Sequence, residues 1–331
     1  MPSSTSPSRS RPGRLTWRLL TLAVVGWLCC AAYTLYLNPS VRLWLGAAQI
    51  KQAWAQKMGR EHKSKVLVFG GSSCAFSING ERMLEEHELP VVNMGLGAGF
   101  GARFLTRWAI SEARPGDTLI VALEPDLLGG ELTDTTGAVQ LSYALHQPGL
   151  LRDFDGSSPL SLASQLLMLR PDGSHIVTLA AKIAGGKPLF RYRIEDIHPS
   201  GWMQTAVRLP VDSPGPAEPL SAQGRRLVEN LAGWCSQRNV RVAYSIPWEF
   251  TKPDDEVSFQ KQNAAFLLQV AELLPVLKDT ALGVCTNREY YADTGWHLTE
   301  KGSSLRSDSL GLQIKEWSTW RQNELRALAA R

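Results

Sequence analysis

The run Val66-Leu67-Val68-Phe69, followed by Gly70-Gly71-Ser72, limits the possible folds of this chain more than any other stretch. Four consecutive apolar residues, two of them β-branched, predict a strand buried on both faces of a parallel sheet. The two glycines permit a tight turn, and Ser72 stands where that turn feeds a helix. In an open α/β fold this is the carboxyl edge of the sheet, where ligands bind. A helix N-terminus beside the hydroxyl also favours developing negative charge. By itself a Gly-Gly-Ser turn is equally consistent with phosphate binding or with a purely structural role.

A second stretch, Tyr291-Ala292-Asp293-Thr294-Gly295-Trp296-His297-Leu298-Thr299, gives the serine a chemical context. A serine hydroxyl is a weak nucleophile that needs a general base, and the base needs a carboxylate to fix its tautomer. Asp293 and His297 are four residues apart, so one helical turn or a tight loop presents both on one side. Alone, such a pair equally describes a surface ion pair or a cap. Following a strand-Gly-Gly-Ser early in the chain, it points to a Ser72–His297–Asp293 triad.

These blocks resemble the SGNH (GDSL-like) hydrolase superfamily, and more narrowly its membrane-anchored branch of DltD-like and alginate O-acetylation-type proteins. Gly70-Gly71-Ser72 matches the first block, where Gly-Asp-Ser is usual. Asn93-Met94-Gly95-Leu96-Gly97-Ala98-Gly99 matches the second, and Asp293-x-x-x-His297-Leu298 the last, with one residue more than the commonest spacing. The resemblance spans roughly residues 63–315. It implies a flavodoxin-like three-layer parallel sheet with Ser72 as nucleophile, His297 as base and Asp293 as its orienting carboxylate. The implied oxyanion donors are the backbone N–H groups of Ser72, Gly97, Ala98 and Gly99. It further implies an esterase or O-acyltransferase acting on an exported cell-envelope polysaccharide. Its partners would be an acyl donor, a glycan acceptor and a membrane protein that hands over the acyl group, with no cofactor and no metal. The chain departs from the pattern at the third block. Where Gly-x-Asn-Asp is expected, Thr118–Leu123 runs into Glu124-Pro125-Asp126, so no asparagine is available as a third oxyanion donor. A catalytically inactive scaffold in a polysaccharide assembly complex is the alternative that this departure favours.

The chain is long enough, at 331 residues, for one large domain or two ordinary ones, and its 44% hydrophobic and 20% charged content is that of a globular protein. A net charge of +4, partly in the N-terminal tail, gives no reason to expect nucleic acid. Residues 1–18 are Ser/Pro-rich with four arginines and no acid, a composition that predicts disorder. Residues 19–37 carry no charge, and at about 1.5 Å per residue a helix there spans roughly 28 Å, close to a bilayer core. A cleaved signal peptide ending near Cys30-Ala31-Ala32 is the rival reading. The basic flank precedes the span, which keeps the N-terminus inside and places the remainder beyond the membrane. With the resemblance, this gives a single-pass protein of the bacterial inner membrane with a periplasmic or extracellular catalytic domain. Residues 38–62 show partial helical spacing, either an interfacial helix or a connecting helix packed on the domain.

Residues 63–331 form the remaining domain. Strands are predicted near Val66–Phe69, Pro90–Asn93, Leu119–Leu123 and Val240–Ile246, with helices starting near Ser77 and Phe100 and others over Arg225–Arg238, Gln260–Leu277 and Ser307–Arg331. Gly97-x-Gly99-x-x-Ala102 also fits a dinucleotide fingerprint, but no acidic residue ends a strand about 20 residues later. Between residues 129 and 222, glycine and proline punctuate short apolar pieces, as in a cap-like insertion. His146, His175 and His198 lie there without metal-ligand spacing. Arg191, Arg193 and Trp202 are candidates for contact with a sugar or an anionic polymer. Cys74 is a second candidate nucleophile, and Cys235 and Cys285 a candidate disulfide.

Overall fold

The structure, a computed structural model, describes residues 12–130, 135–171, 173–187 and 190–329. The elements run α1 (Pro12–Ala32), α2 (Pro39–Glu61), β1 (Val66–Phe69), α3 (Ser72–Ser77), α4 (Gly80–His87), β2 (Val91–Asn93), α5 (Gly101–Ser111), β3 (Thr118–Val121), α6 (Pro125–Gly129) and α7 (Thr136–Ala144). They continue with α8 (Leu162–Met168), α9 (Gly173–Ala184), α10 (Ala222–Gln237), β4 (Arg241–Tyr244), β5 (Glu249–Phe250), α11 (Glu256–Ala271), β6 (Val284–Cys285) and α12 (Glu300–Ala329).

Short apolar strands need cover on both faces, and they find it here. β1 to β4 pair in parallel in the order β2-β1-β3-β4, with Val66 opposite both Val91 and Thr118, and Thr118 opposite Arg241. Successive strand residues point to opposite sides. Leu67, Phe69, Val92, Leu119 and Val121 join one core with Trp54, Phe104, Leu141 and Leu231 from α2, α5, α7 and α10. Val66, Val68, Val91, Ile120 and Ala243 join a second core with Met83 of α4 and with Leu310 and Ile314 of α12. Helices therefore cover both faces, which is why β1 shows no polar alternation. A separate two-stranded parallel sheet pairs β5 with β6.

Several boundaries differ from the sequence expectations. The helix after β1 starts at Ser72 itself rather than near Ser77, because the turn is only two glycines long. The helix expected over Ser307–Arg331 begins at Glu300, where Thr299 accepts the N–H of Gly302 and caps the first turn. The apolar N-terminal helix starts at Pro12, so residues 12–18 are helical rather than disordered, and a π-turn over Tyr33–Leu37 ends it. Residues 1–11 lie outside the described residues. One helix over Leu15–Leu37 is long and apolar enough to cross a membrane, a description that a signal sequence also meets.

α2 is not an interfacial helix. Leu43, Ala47, Trp54, Ala55 and Met58 are buried in the main core, and the Trp54 indole donates to the Val91 carbonyl at 2.9 Å. The stretch 129–222 is also not all peripheral. Ala138, Val139 and Leu141 of α7 are buried in the body, whereas residues 176–184 of α9 are exposed apart from the half-buried Leu179 and Lys182.

Candidate active site

β1 ends at the carboxyl edge of the sheet, where Gly70 and Gly71 have no room for a side chain. A Cβ on Gly70 would meet the Ala122 carbonyl oxygen at 2.0 Å, and one on Gly71 the Glu124 carboxylate at 2.5 Å. The turn opens directly into α3, with Ser72 half-buried and Ser73 buried behind it. Among the described residues, the Ser72 hydroxyl makes no hydrogen bond.

Asp293 and His297 are presented by a loop, not a helix. The loop is closed by a bridge between Tyr291 and Leu298, with Ala292 N–H donating to His297 O at 2.8 Å and Thr299 N–H to Tyr290 O at 2.7 Å. The His297 and Asp293 side chains meet at 2.8 Å between Nδ1 and Oδ1. Tyr192 reaches the same pair from the insertion, its hydroxyl donating to Asp293 Oδ2 at 2.9 Å and lying 3.2 Å from His297 Nδ1. Arg191 pairs with Asp293 Oδ2 at 3.2 Å. Burial alone would raise the Asp293 carboxyl, but the hydrogen bonds from His297, Tyr192 and Arg191 outweigh it and hold it below the ordinary carboxylate value. Burial, reinforced by the Asp293 charge, keeps the Tyr192 hydroxyl well above its usual value, so it stays protonated as a donor. An ionised carboxylate only accepts, so Nδ1 of His297 carries the hydrogen and Nε2 is left as the basic nitrogen.

Phe76 links this loop to the serine. Its ring stacks on the His297 imidazole with centroids 4.2 Å apart and planes within 22°. Phe76 follows Ser72 by four residues on α3, hence on the same face one turn along. The imidazole is thus tied to α3 one turn after Ser72. Since the Tyr192 hydroxyl donates to a carboxylate, Tyr192→Phe should keep the Asp293–His297 bond and slow any His297-dependent reaction about tenfold. The check is the steady-state rate, together with the NMR titration of Asp293, which should move upward in the variant.

The turn after β2 runs beside α3. Gly95 has no space for a side chain, since a Cβ would meet the Ala75 nitrogen at 2.4 Å. Gly95 and Leu96 commit their N–H groups to Asn93 Oδ1 at 2.9 Å and Gly70 O at 3.2 Å. Gly97 and Ala98 are half-buried and Gly99 is exposed. Glu124 follows β3 and precedes α6, at the position where the pattern this sequence resembles has an asparagine. Its buried carboxylate accepts from the N–H groups of Gly71 and Ser73, both at 2.9 Å, and burial pushes its pKa upward. The first turn of α3 thus holds an acidic side chain.

Beneath α3 lies a buried polar cluster built on Asn93 of the second block, whose other member, Lys51, no motif indicates. Asn93 Nδ2 donates to the carbonyls of Ile78 at 2.7 Å, Cys74 at 3.0 Å and Ala75 at 3.3 Å. Lys51 of α2, fully buried, donates to Asn93 O at 3.1 Å, to Asn93 Oδ1 at 3.3 Å and to the Gly201 carbonyl. Burial pushes the Lys51 amine down to about 7, with the nearby Cys74 opposing. The unfolded chain keeps that proton to near pH 10, so above pH 7 the unfolded state binds more protons and stability rises with pH. The stability of the native chain relative to Lys51→Met should therefore increase between pH 7 and 10 in denaturant titrations, and a constant gap would refute this.

The other sequence candidates fall outside the site. Cys74 is buried with its Sγ 3.6 Å from the Val68 carbonyl, and burial pushes the thiol up to about 12, which rules out a thiolate nucleophile. Cys235 and Cys285 are both free thiols, one on the buried face of α10 and the other beside Tyr291, so the candidate disulfide is not formed. Trp202 is buried with its indole bonded to the Phe76 carbonyl at 3.1 Å, and has no surface to offer a sugar. Arg193 is exposed and pairs with Glu195, and only Arg191 reaches the site. His198 lies near Glu81, and no group of three or more metal-ligating side chains occurs among the described residues. Arg191 stands out in the sequence only as a candidate for substrate contact and Tyr192 not at all; lying 102 and 101 residues before Asp293, they carry no sequence signal that joins them to it.

No family model matches this chain, and no curated protein matches it. Among solved structures, one of a protein from Streptococcus pneumonia, provisionally described as a platelet activating factor, aligns with 81% of this chain and 91% of its own at 11% identity. Its TM-score of 0.36 is too low for the likeness to assign a fold or a chemistry, so what the chain is rests on its own geometry.

Proposed function

We propose that the chain is a membrane-anchored SGNH-type serine acyl esterase or O-acyltransferase that works through Ser72, His297 and Asp293. The observation that carries this reading is the His297 imidazole, bonded to an ionised Asp293 and stacked on Phe76, four residues after Ser72 on α3. The strand order β2-β1-β3-β4 supports it, being that of the first four strands of a flavodoxin-like sheet, with the site at the carboxyl edge. In this mechanism Ser72 Oγ bonds to the acyl carbon while His297 Nε2 takes its proton. The bond to the leaving alcohol breaks as that proton passes on. Water, or a glycan hydroxyl, then gives a proton to Nε2 as it attacks the acyl carbon, and the bond to Ser72 Oγ breaks as that proton returns to the serine. Asp293 holds the imidazole in its Nδ1–H form and stabilises the imidazolium. N–H groups of Ser72 and of the Gly97–Gly99 turn would hold the oxyanion, each worth about 3 kcal/mol. Ser72 and His297 would close to hydrogen-bond distance in the substrate complex, as such pairs do. An exported polysaccharide as acceptor follows from the resemblance and from a body held beyond the membrane.

Glu124 favours a second reading, an inactive scaffold. A carboxylate bonded to the N–H groups on either side of Ser72 opposes an oxyanion at that point. Hydrolysis of p-nitrophenyl acetate by the full chain in detergent, beside Ser72→Ala, separates the two. A rate above background that the variant loses supports the enzyme, and equal background rates support the scaffold.

A further inference from the structure

We infer that the α8–α9 lobe lies in the lipid of the leaflet nearer the body, alongside the upper half of α1. The inference rests on the reading of α1 as membrane-spanning. In water the lobe is hard to account for. Leu162 and Leu167 of α8 and Ile176, Val177 and Ile183 of α9 are all exposed, Val177 to 71%. Large apolar side chains grouped on two neighbouring helices mark a surface that something apolar covers. At 12 residues, α9 is too short to span a bilayer and of a length suited to an interfacial position.

The contact between α8 and α1 says what the cover is. The Trp27 indole donates to the Leu166 carbonyl at 3.1 Å. Trp27 precedes Leu37 by ten residues, about 15 Å along a helix, which places it near the middle of a core about 30 Å thick. Any element bonded to Trp27 therefore sits below the point where α1 leaves the hydrocarbon. A backbone carbonyl at that depth needs a donor, and the indole supplies one. The face of α1 that carries Trp27, Ala31 and Thr34 turns toward the body, with Ala31 and Thr34 buried. Leu19, Leu22, Val24, Val25 and Leu28 stay exposed. Exposed apolar residues thus lie on α1, on the α8 that is bonded to it, and on the α9 that follows α8 in the chain. Arg170 and Lys187, at either end of α9, are exposed and long enough to reach the head-group region.

The test uses the full chain reconstituted in phosphatidylcholine vesicles and photolabelled with an apolar iodophenyl diazirine dissolved in the lipid. Peptides are then read by mass spectrometry. Label in residues 15–37 reports the span, and label in 162–184 reports the lobe. Both should be labelled to a similar extent. The Val177→Glu, Ile183→Glu double variant should lose most of the label in 162–184 and keep it in 15–37, since a buried carboxylate is costly in hydrocarbon. Label in 15–37 with none in 162–184 would overturn the lobe assignment and leave the span intact. That is also the result expected if a second copy of the chain covers this face. Absence of label from both would overturn both readings, and unchanged labelling in the double variant would overturn the assignment of this face.

Discussion

On the proposed triad, His297→Ala and Ser72→Ala are each expected to lower ester hydrolysis by the full chain about 10³-fold or more, and combining them to cost little beyond either alone. The size of the effect follows from the division of labour. Without the imidazole nothing removes the proton from Ser72, and without the hydroxyl the imidazole has nothing to activate. Asp293→Asn acts on the same step, because an amide no longer requires hydrogen at Nδ1 of His297 and the basic nitrogen is lost. Cys74→Ala, at the buried thiol two residues on, leaves the rate within about twofold, since that sulfur holds its proton throughout the working range. Comparable activity in His297→Ala and the native chain would end the triad reading, whatever the background rate.

Asn93→Leu is the change expected to cost most in stability. It removes three donations, to the carbonyls of Cys74 and Ala75 in α3 and of Ile78 just after it, and the acceptor shared by Gly95 N–H and Lys51. It therefore leaves several buried polar groups, one of them an amine, without partners. The loss amounts to about 3–5 kcal/mol, or a melting temperature lower by roughly 5–15 °C. Because Asn93 is what fastens α3 to β2, activity measured well below the melting temperature also falls, with Ser72 displaced rather than removed. A melting temperature within about 2 °C of the native chain would show that the cluster does not hold α3 in place.

How much of this was legible beforehand depended on how local the cause was. β1 was readable because two-sided burial in a parallel sheet leaves an unbroken apolar run. The Asp293–His297 pairing was readable because a loop imposes short-range spacing, and the turn into α3 because two glycines precede Ser72. α2 was readable as a helix, but not as a buried one. Its partners Val91, Asn93 and Gly201 lie 37 to 150 residues away, and no periodicity reports them. Glu124 could be seen as a missing asparagine, yet its grip on Gly71 and Ser73 needs β3 to lie beside β1. Lys51 was the least readable, since a lysine on an amphipathic helix ordinarily belongs to the wet face.

The sequence by itself determined the parallel α/β body, the apolar N-terminal helix and the three chemically suggestive side chains. Each follows from residues within a few positions of one another. Only the tertiary structure decided that Tyr192 and Arg191 converge on Asp293, that Phe76 seats the imidazole over α3, and that Lys51 and Asn93 support α3 from below. Those contacts join segments far apart in the chain. Their energy comes from excluding water around a few polar groups, which a one-dimensional pattern does not encode.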